Sequence, residues 1–207
     1  MRITLDTKCR LCRAEGSKLF LKGVRCSSSK CPIEKKGAVP PGMHGLKRVK
    51  KPTDYGIQLR AKQKAKRVYG VQEAQFRNYY EKAKKQKGLV GNNLISMIET
   101  RLDNVSYLGG LSQSRTQAKQ LISNKHILVN GKPLNISSYL VRVGDVISFD
   151  KDSKVKDNLR LVDKDFRFPS WLDVDKSNQS IKITSMPILD EIVSGVDVNL
   201  IIEYYSR

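Results

Sequence analysis

Positive charge is so one-sided along this 207-residue chain that its first half resists compaction unless an anion answers it. Residues 1–98 carry 24 of the 39 Lys and Arg but only 6 of the 20 Asp and Glu, an excess of 18 out of a total of +19. An excess of that size repels itself and calls for a polyanionic partner. Nucleic acid is the commonest, because neutralising phosphates releases condensed counterions. The competing reading is a solubilising surface, but solubility does not require charge on one side only.

The length suits one or two domains, and 39% hydrophobic residues allow a modest core in each. No apolar run approaches the roughly 18 residues of a membrane span. Met1 to Lys8 shows no apolar signal core, and Asp6 and Glu15 argue against an organelle transit peptide, so the expected address is the cytosol.

All four cysteines lie within the first 31 residues. Cys9 and Cys12 are separated by two residues, Cys26 and Cys31 by four, with thirteen between the pairs. Two close pairs joined by a loop suit a closed, structural tetrahedral zinc site, each pair supplying one edge. Lys8, Arg10, Arg13, Arg25 and Lys30 would offset the charge of four thiolates. A four-thiolate iron–sulfur cluster is an alternative that spacing does not exclude. Disulfides fit a cytosolic chain less well. His44 is a conceivable replacement ligand, though it is expected in a loop facing backbone or phosphate.

Residues 32–53 are rich in Pro, Gly and Lys and are expected to be extended loop lying on an anion, with Lys35, Lys36, Lys47, Arg48, Lys50 and Lys51 as contacts; a disordered linker is the alternative. Thr53-Asp54 then caps a helix over Tyr55–Tyr69, stopped by Gly70, with Leu59, Ala61, Ala65 and Val68 as its apolar positions. A second helix is expected over Gln72–Gln86. Both have strongly basic polar faces. Leu94, Ile98, Leu102 and Val105 continue a helical spacing from near Asn92.

Ser112 or Ser114 caps a further helix over Arg115–Ser123, with Ala118, Leu121 and Ile122 buried. Asn130-Gly131 between two short apolar runs predicts a type I′ hairpin. Tyr139–Val141 and Val146–Phe149 predict a second strand pair, and Ser180–Thr184 another strand. Asp190–Val193 suggests a short helical turn, and Val198–Tyr205 reads as extended or loosely packed. A helix N-terminus rich in Ser112, Ser114, Arg115 and Thr116 favours phosphate, and Lys119, Lys125, His126 and Lys132 extend that surface. Such a platform suits RNA read by shape and phosphate; ordinary capping is the alternative for each residue singly.

The motifs Cys9-Arg10-Leu11-Cys12-Arg13, Lys18-Leu19-Phe20-Leu21-Lys22-Gly23 and Pro40-Pro41-Gly42-Met43-His44-Gly45 resemble those of the bacterial small-subunit ribosomal protein S-four family in its zinc-binding, four-cysteine form. So do Asp54-Tyr55-Gly56-Ile57-Gln58-Leu59-Arg60, Arg101-Leu102-Asp103-Asn104-Val105, Ser114 to Leu121, Trp171 to Asp175 and Glu203 to Arg207. The likeness spans essentially the whole chain. It departs at Tyr107-Leu108-Gly109-Gly110-Leu111, where the family usually has Tyr-Arg-Leu-Gly-Phe, and residues 176–179 look abbreviated.

The resemblance implies an α+β fold. A mostly helical basic lobe with an N-terminal zinc-binding segment is joined to an inserted α/β lobe. The inserted lobe contains the S-four-type RNA-binding module, two helices and a small antiparallel sheet. The expected divisions are 1–45, 46–98 and 99–185, with a tail of about 186–207 packing on the helical lobe. The family binds the 5′ domain of small-subunit ribosomal RNA early in assembly. It sits beside neighbouring small-subunit proteins near the channel by which mRNA enters, and it influences decoding accuracy. Lys22, Tyr55, Gln58, Arg60, Lys62, Lys66 and Arg67 join the expected RNA contacts.

An RNA-modifying enzyme is the alternative class, since pseudouridine synthases and methyltransferases carry similar modules. No Gly-rich cofactor loop follows a strand, and residues 151–207 are too few for a catalytic domain. Asp163, Asp165, Asp173 and Asp175 are expected as solvated loop charges, or as pairs for the basic lobe, rather than acid–base groups. A free zinc-ribbon DNA-binding factor fits the module poorly. Neither a membrane nor a small-molecule substrate is expected as a partner.

Overall fold

The computed structural model describes residues 8–47, 51–150, 168–175, 177–188 and 195–207. The chain forms two compact units, residues 1–76 with 194–207, and residues 77–193. The turn expected at 190–193, Arg48, Lys50, Asp163 and Asp165 lie outside the described residues.

In the first unit, α1 (Lys8–Glu15), α2 (Val24–Ser27) and α3 (Pro32–Lys36) carry or border the cysteines. Helix α3 corrects the expectation of extended loop from residue 32. Pro32 stands at the start of the helix, where it needs no N–H partner and its fixed φ suits the turn, and Gly37 closes it at φ 72°. Helix α4 (Asp54–Tyr69) begins as its capping residue predicts. The Thr53 hydroxyl accepts from Gly56 N–H at 3.2 Å, and Gly70 ends the helix in the left-handed conformation.

The buried stripe of α4 is Gln58, Lys62, Ala65, Val68 and Tyr69, rotated from the expected one so that two polar residues face inward. They do so because α9 (Val198–Ser206) packs on them. The extended tail expected over 198–205 is thus corrected to a helix. Asp197 caps it, accepting from Asn199 N–H at 3.0 Å, and Val198 and Ile201 are buried. Gln58 Nε2 donates to Glu203 Oε2 at 2.9 Å, and Lys62 Nζ lies 4.3 Å from the centre of the Tyr204 ring. The division between units falls within α5 (Glu73–Lys85), whose Phe76, Tyr79, Tyr80 and Ala83 form one buried stripe.

The second unit holds α6 (Val90–Glu99), α7 (Leu102–Leu108), α8 (Arg115–Ser123) and a sheet of β1 (Ile127–Val129), β2 (Lys132–Pro133), β3 (Val146–Phe149), β4 (Leu172–Asp175) and β5 (Ser180–Ile183). The helical spacing expected to run through Val105 is broken at Thr100-Arg101, where Arg101 turns extended (ψ 137°). The break is held by the segment 137–141. Leu102 N–H donates to Tyr139 O at 2.8 Å, Asp103 N–H to Ser137 O at 3.2 Å, and Val141 N–H to Thr100 O at 2.9 Å. For the same reason Tyr139–Val141 does not pair with Val146–Phe149 as expected. It makes a single bridge, Leu140 to Arg101.

The sheet runs β2-β1-β3-β5-β4, every neighbour antiparallel. Asn130 (φ 51°) and Gly131 (φ 76°) are both left-handed, as a type I′ turn requires. Register places Ile127 opposite Phe149 and Ile147 opposite Ile181, so one face is apolar across β1, β3, β5 and β4. That face closes on Leu102, Val105, Leu121 and Ile122, with Trp171 and Leu172 completing the core. Asp173 and Asp175 are exposed positions of strand β4, not of a loop, which corrects the expected placement. Gly109 sits against the sheet: a Cβ there would lie 2.1 Å from Ile181 Cδ1.

Candidate nucleic-acid interface

Cys9 is half-buried and Cys12, Cys26 and Cys31 are buried; none is in a disulfide. No three His, Cys, Asp or Glu side chains among the described residues already stand at metal-holding separations. The four thiols nevertheless wall one cavity of about 20 Å³, together with Lys22, Arg25, Pro32 and Ile33. The cavity's volume takes one small ion or water. Burial pushes the Cys12 thiol up, a hydrogen bond from the Leu19 backbone opposes this, and the three other thiols add to the rise. Lys22 N–H donates to Cys26 Sγ at 3.3 Å. Four thiols are the donor chemistry that a thiophilic cation takes.

Around this segment Arg10, Arg25, Lys30, Lys35, Lys36, His44, Lys47 and Lys51 are exposed. Arg13 serves the chain itself, donating to Val39 O at 2.7 Å and Pro40 O at 3.1 Å. Arg60 and Arg67 both pair with the buried Glu15, Arg60 at 2.6 Å. Lys62 and Lys66 bind Glu73 at 2.7 and 2.6 Å, and Tyr205 donates to it at 2.9 Å. Burial works against the Glu73 carboxylate, but Lys62, Lys66 and Tyr205 outweigh it and hold its pKa at about 2. Gln58 and Lys62 therefore lie inside α4–α9 rather than on its outer face. Tyr55 stays half exposed beside Tyr204, with the Arg207 guanidinium 5.8 Å from its ring centre.

In the second unit the N-terminus of α8 is capped by Ser114, whose Oγ accepts from Gln117 N–H at 3.3 Å. Ser112 is buried and donates to Ser114 O. Arg115 Nε donates to Asn104 Oδ1 at 2.8 Å, and its guanidinium lies 4.5 Å from the centre of the Tyr107 ring. Asn104 in turn donates to the Glu99 carbonyl at 2.9 Å and to its carboxylate. Lys119 reaches Asp103 at 3.5 Å; burial lowers its pKa, Asp103 opposing. Thr116, Lys125 and Lys132 are exposed and His126 is half-buried.

Beneath α8, Arg101 is 2% exposed and grips Asp103 with both arms of its fork, at 3.0 and 2.6 Å, while Nη1 donates to Tyr79 at 2.7 Å. Sequence reasoning missed this hub. Arg101 and Asp103 at i, i+2 followed by Asn104 were the available signal. The basic face expected of the second helix is carried by Arg77, Lys82, Lys84 and Lys85, with Lys87 beyond its end, all exposed and none of them named there as a contact.

Two units, one strongly cationic and one a helix pair on an antiparallel sheet with basic residues at the helix start, define a nucleic-acid-binding class of protein. Residues 5–99 match the family model described as the ribosomal protein S4/S9 N-terminal domain, and residues 100–147 the S4 domain. The small ribosomal subunit protein uS4 of Desulfitobacterium hafniense (strain Y51) is 49% identical over 201 residues, 96% of each chain. That of Desulfotalea psychrophila is 49% identical over 211 residues covering both chains fully. That of Caldicellulosiruptor saccharolyticus is 50% identical over 202 residues, 96% of each. The chain belongs to the bacterial-type uS4 family of small ribosomal subunit proteins.

Proposed function

We propose that this protein is a structural, RNA-binding component of the cytoplasmic small ribosomal subunit, and not an enzyme. The observation that carries the reading is likeness over the full length to proteins named as small-subunit components, with an S4 domain within the matched region. The exposed Arg10, Arg25, Lys30, Lys35, Lys36, Lys47 and Lys51, with Lys125 after α8 and Lys132 in the hairpin, suit phosphate. No helix among the described residues is long and apolar enough to cross a membrane. The RNA bound is the 5′ domain of 16S-type ribosomal RNA, engaged early in assembly. Neighbouring small-subunit proteins and mRNA near its channel into the subunit are the further partners, and decoding accuracy is the property influenced.

Cys9, Cys12, Cys26 and Cys31 would hold one structural zinc ion. Bound zinc would supply charge that keeps four thiolates together and ties α1 to α2 and to the start of α3. Metal analysis of the purified protein is expected to give about one zinc per chain; iron with sulfide would replace this assignment with a cluster. The function is tested by titrating the full-length protein against a 5′-domain transcript at several salt concentrations, with a parallel assay for base modification. Tight, salt-dependent binding without modification is expected. No binding in dilute buffer would overturn the reading.

A further inference from the structure

Phe20 is an aromatic side chain held outward on strained backbone. Its φ is 49°, in the left-handed region that bulky residues rarely adopt. Phe20 is 47% exposed, although Leu19 before it is 2% exposed and Leu21 after it is half-buried. The backbone after the ring is pinned. Lys22 N–H donates to Cys26 Sγ at 3.3 Å. The Leu21 carbonyl accepts from the buried Lys8 Nζ at 3.2 Å. The buried Leu19 before the ring and two hydrogen bonds after it hold the turn, which is the circumstance in which such strain persists, and strain of this kind gathers at binding sites. Core packing does not account for it, because the ring ends half in solvent.

We propose that Phe20 is a stacking platform for an unpaired base of small-subunit ribosomal RNA, presented by this sulfur-anchored turn. An aromatic face stacks on any base, and such contacts are strong where cations track the adjoining phosphates. Lys22 and Arg25 line the thiol cavity beside the turn, and Arg10 on α1 is exposed. An exposed ring also suits a pocket on another protein, but the surrounding excess of positive charge favours a polyanion. The proposal rests on the RNA-binding function above and adds a residue and a contact type to it.

The test uses full-length protein and the 5′-domain transcript, with Phe20→Gly, Phe20→Leu and Phe20→Tyr. Glycine adopts φ 49° without strain, so Phe20→Gly keeps the turn while removing the ring; circular dichroism and thermal unfolding check this. Phe20→Gly and Phe20→Leu are expected to bind roughly 5- to 100-fold more weakly, with the slope of log affinity against log salt unchanged. Phe20→Tyr should bind like wild type. Wild-type affinity in Phe20→Gly or Phe20→Leu overturns the proposal, as does a loss carried wholly by the salt slope, which would mark altered phosphate contacts. Failure of the wild-type protein to bind is a different result and removes the RNA-binding function itself.

Discussion

Arg101 and Asp103 form an ion pair shut away from water, so neither tolerates the loss of the other. Breaking a buried pair strands a charge and costs about 3–5 kcal/mol. Asp103→Ala and Arg101→Ala are each expected to lower the urea midpoint by an amount of that order. Arg101→Met with Asp103→Leu should recover much of it once Lys119, which reaches Asp103 at 3.5 Å, is also replaced by Met, since no charge is then left unpaired. Glu73 gives a pH signature instead. Its folded pKa of about 2 lies below the ordinary 4.5, so its contribution is complete above pH 4.5 and is lost as pH falls toward 2. Between pH 5 and 2 the unfolding free energy of Glu73→Gln should therefore fall less steeply than that of wild type, measured by denaturant unfolding at each pH.

Elements were legible where local chemistry decided them. Thr53 and Gly70 bound α4, Ser114 opens α8, and Asn130-Gly131 makes the hairpin, each through a backbone requirement that one residue type meets. Elements decided by distant partners were not. Nothing at Thr100-Arg101 resembles a breaker, and the bonds to residues 137–141 that stop the helix come from some 37 positions away. Helix α9 was hidden by Val198, Ile201, Ile202, Tyr204 and Tyr205, which favour strands, and the one local signal was Asp197 as a cap. Its dependence on α4 gives a further expectation. Ile201 is fully buried, and Ile201→Ala should cost about 2–5 kcal/mol, read as a lower thermal midpoint with helicity lost around residues 198–206.

At the scale of the whole molecule, charge asymmetry announced the partner class but did not say which cations face it. Arg13, Arg60, Arg67, Lys62 and Lys66 look in sequence like Lys30 or Lys125, yet the first five are engaged by carbonyls or carboxylates of their own chain. The distinction is measurable. Lys125→Ala is expected to weaken binding of the 5′-domain transcript and to reduce the salt slope by about 1. Lys62→Ala should instead lower the unfolding midpoint, with its salt slope unchanged. The thiol cavity was legible as four cysteines, whereas the turn it anchors was legible only as a string of letters in a family motif.

The pairing of α4 with α9 joins Gln58 to Glu203 across 145 positions. During translation, residues 77–193 are polymerised in the interval between the two helices. At ordinary elongation rates that interval lasts on the order of ten seconds, long compared with the collapse of a small domain. Vectorial synthesis therefore hands the second unit its whole sequence before the first can close, and the nascent chain carries the polar seam of α4 uncovered until its late-made partner emerges.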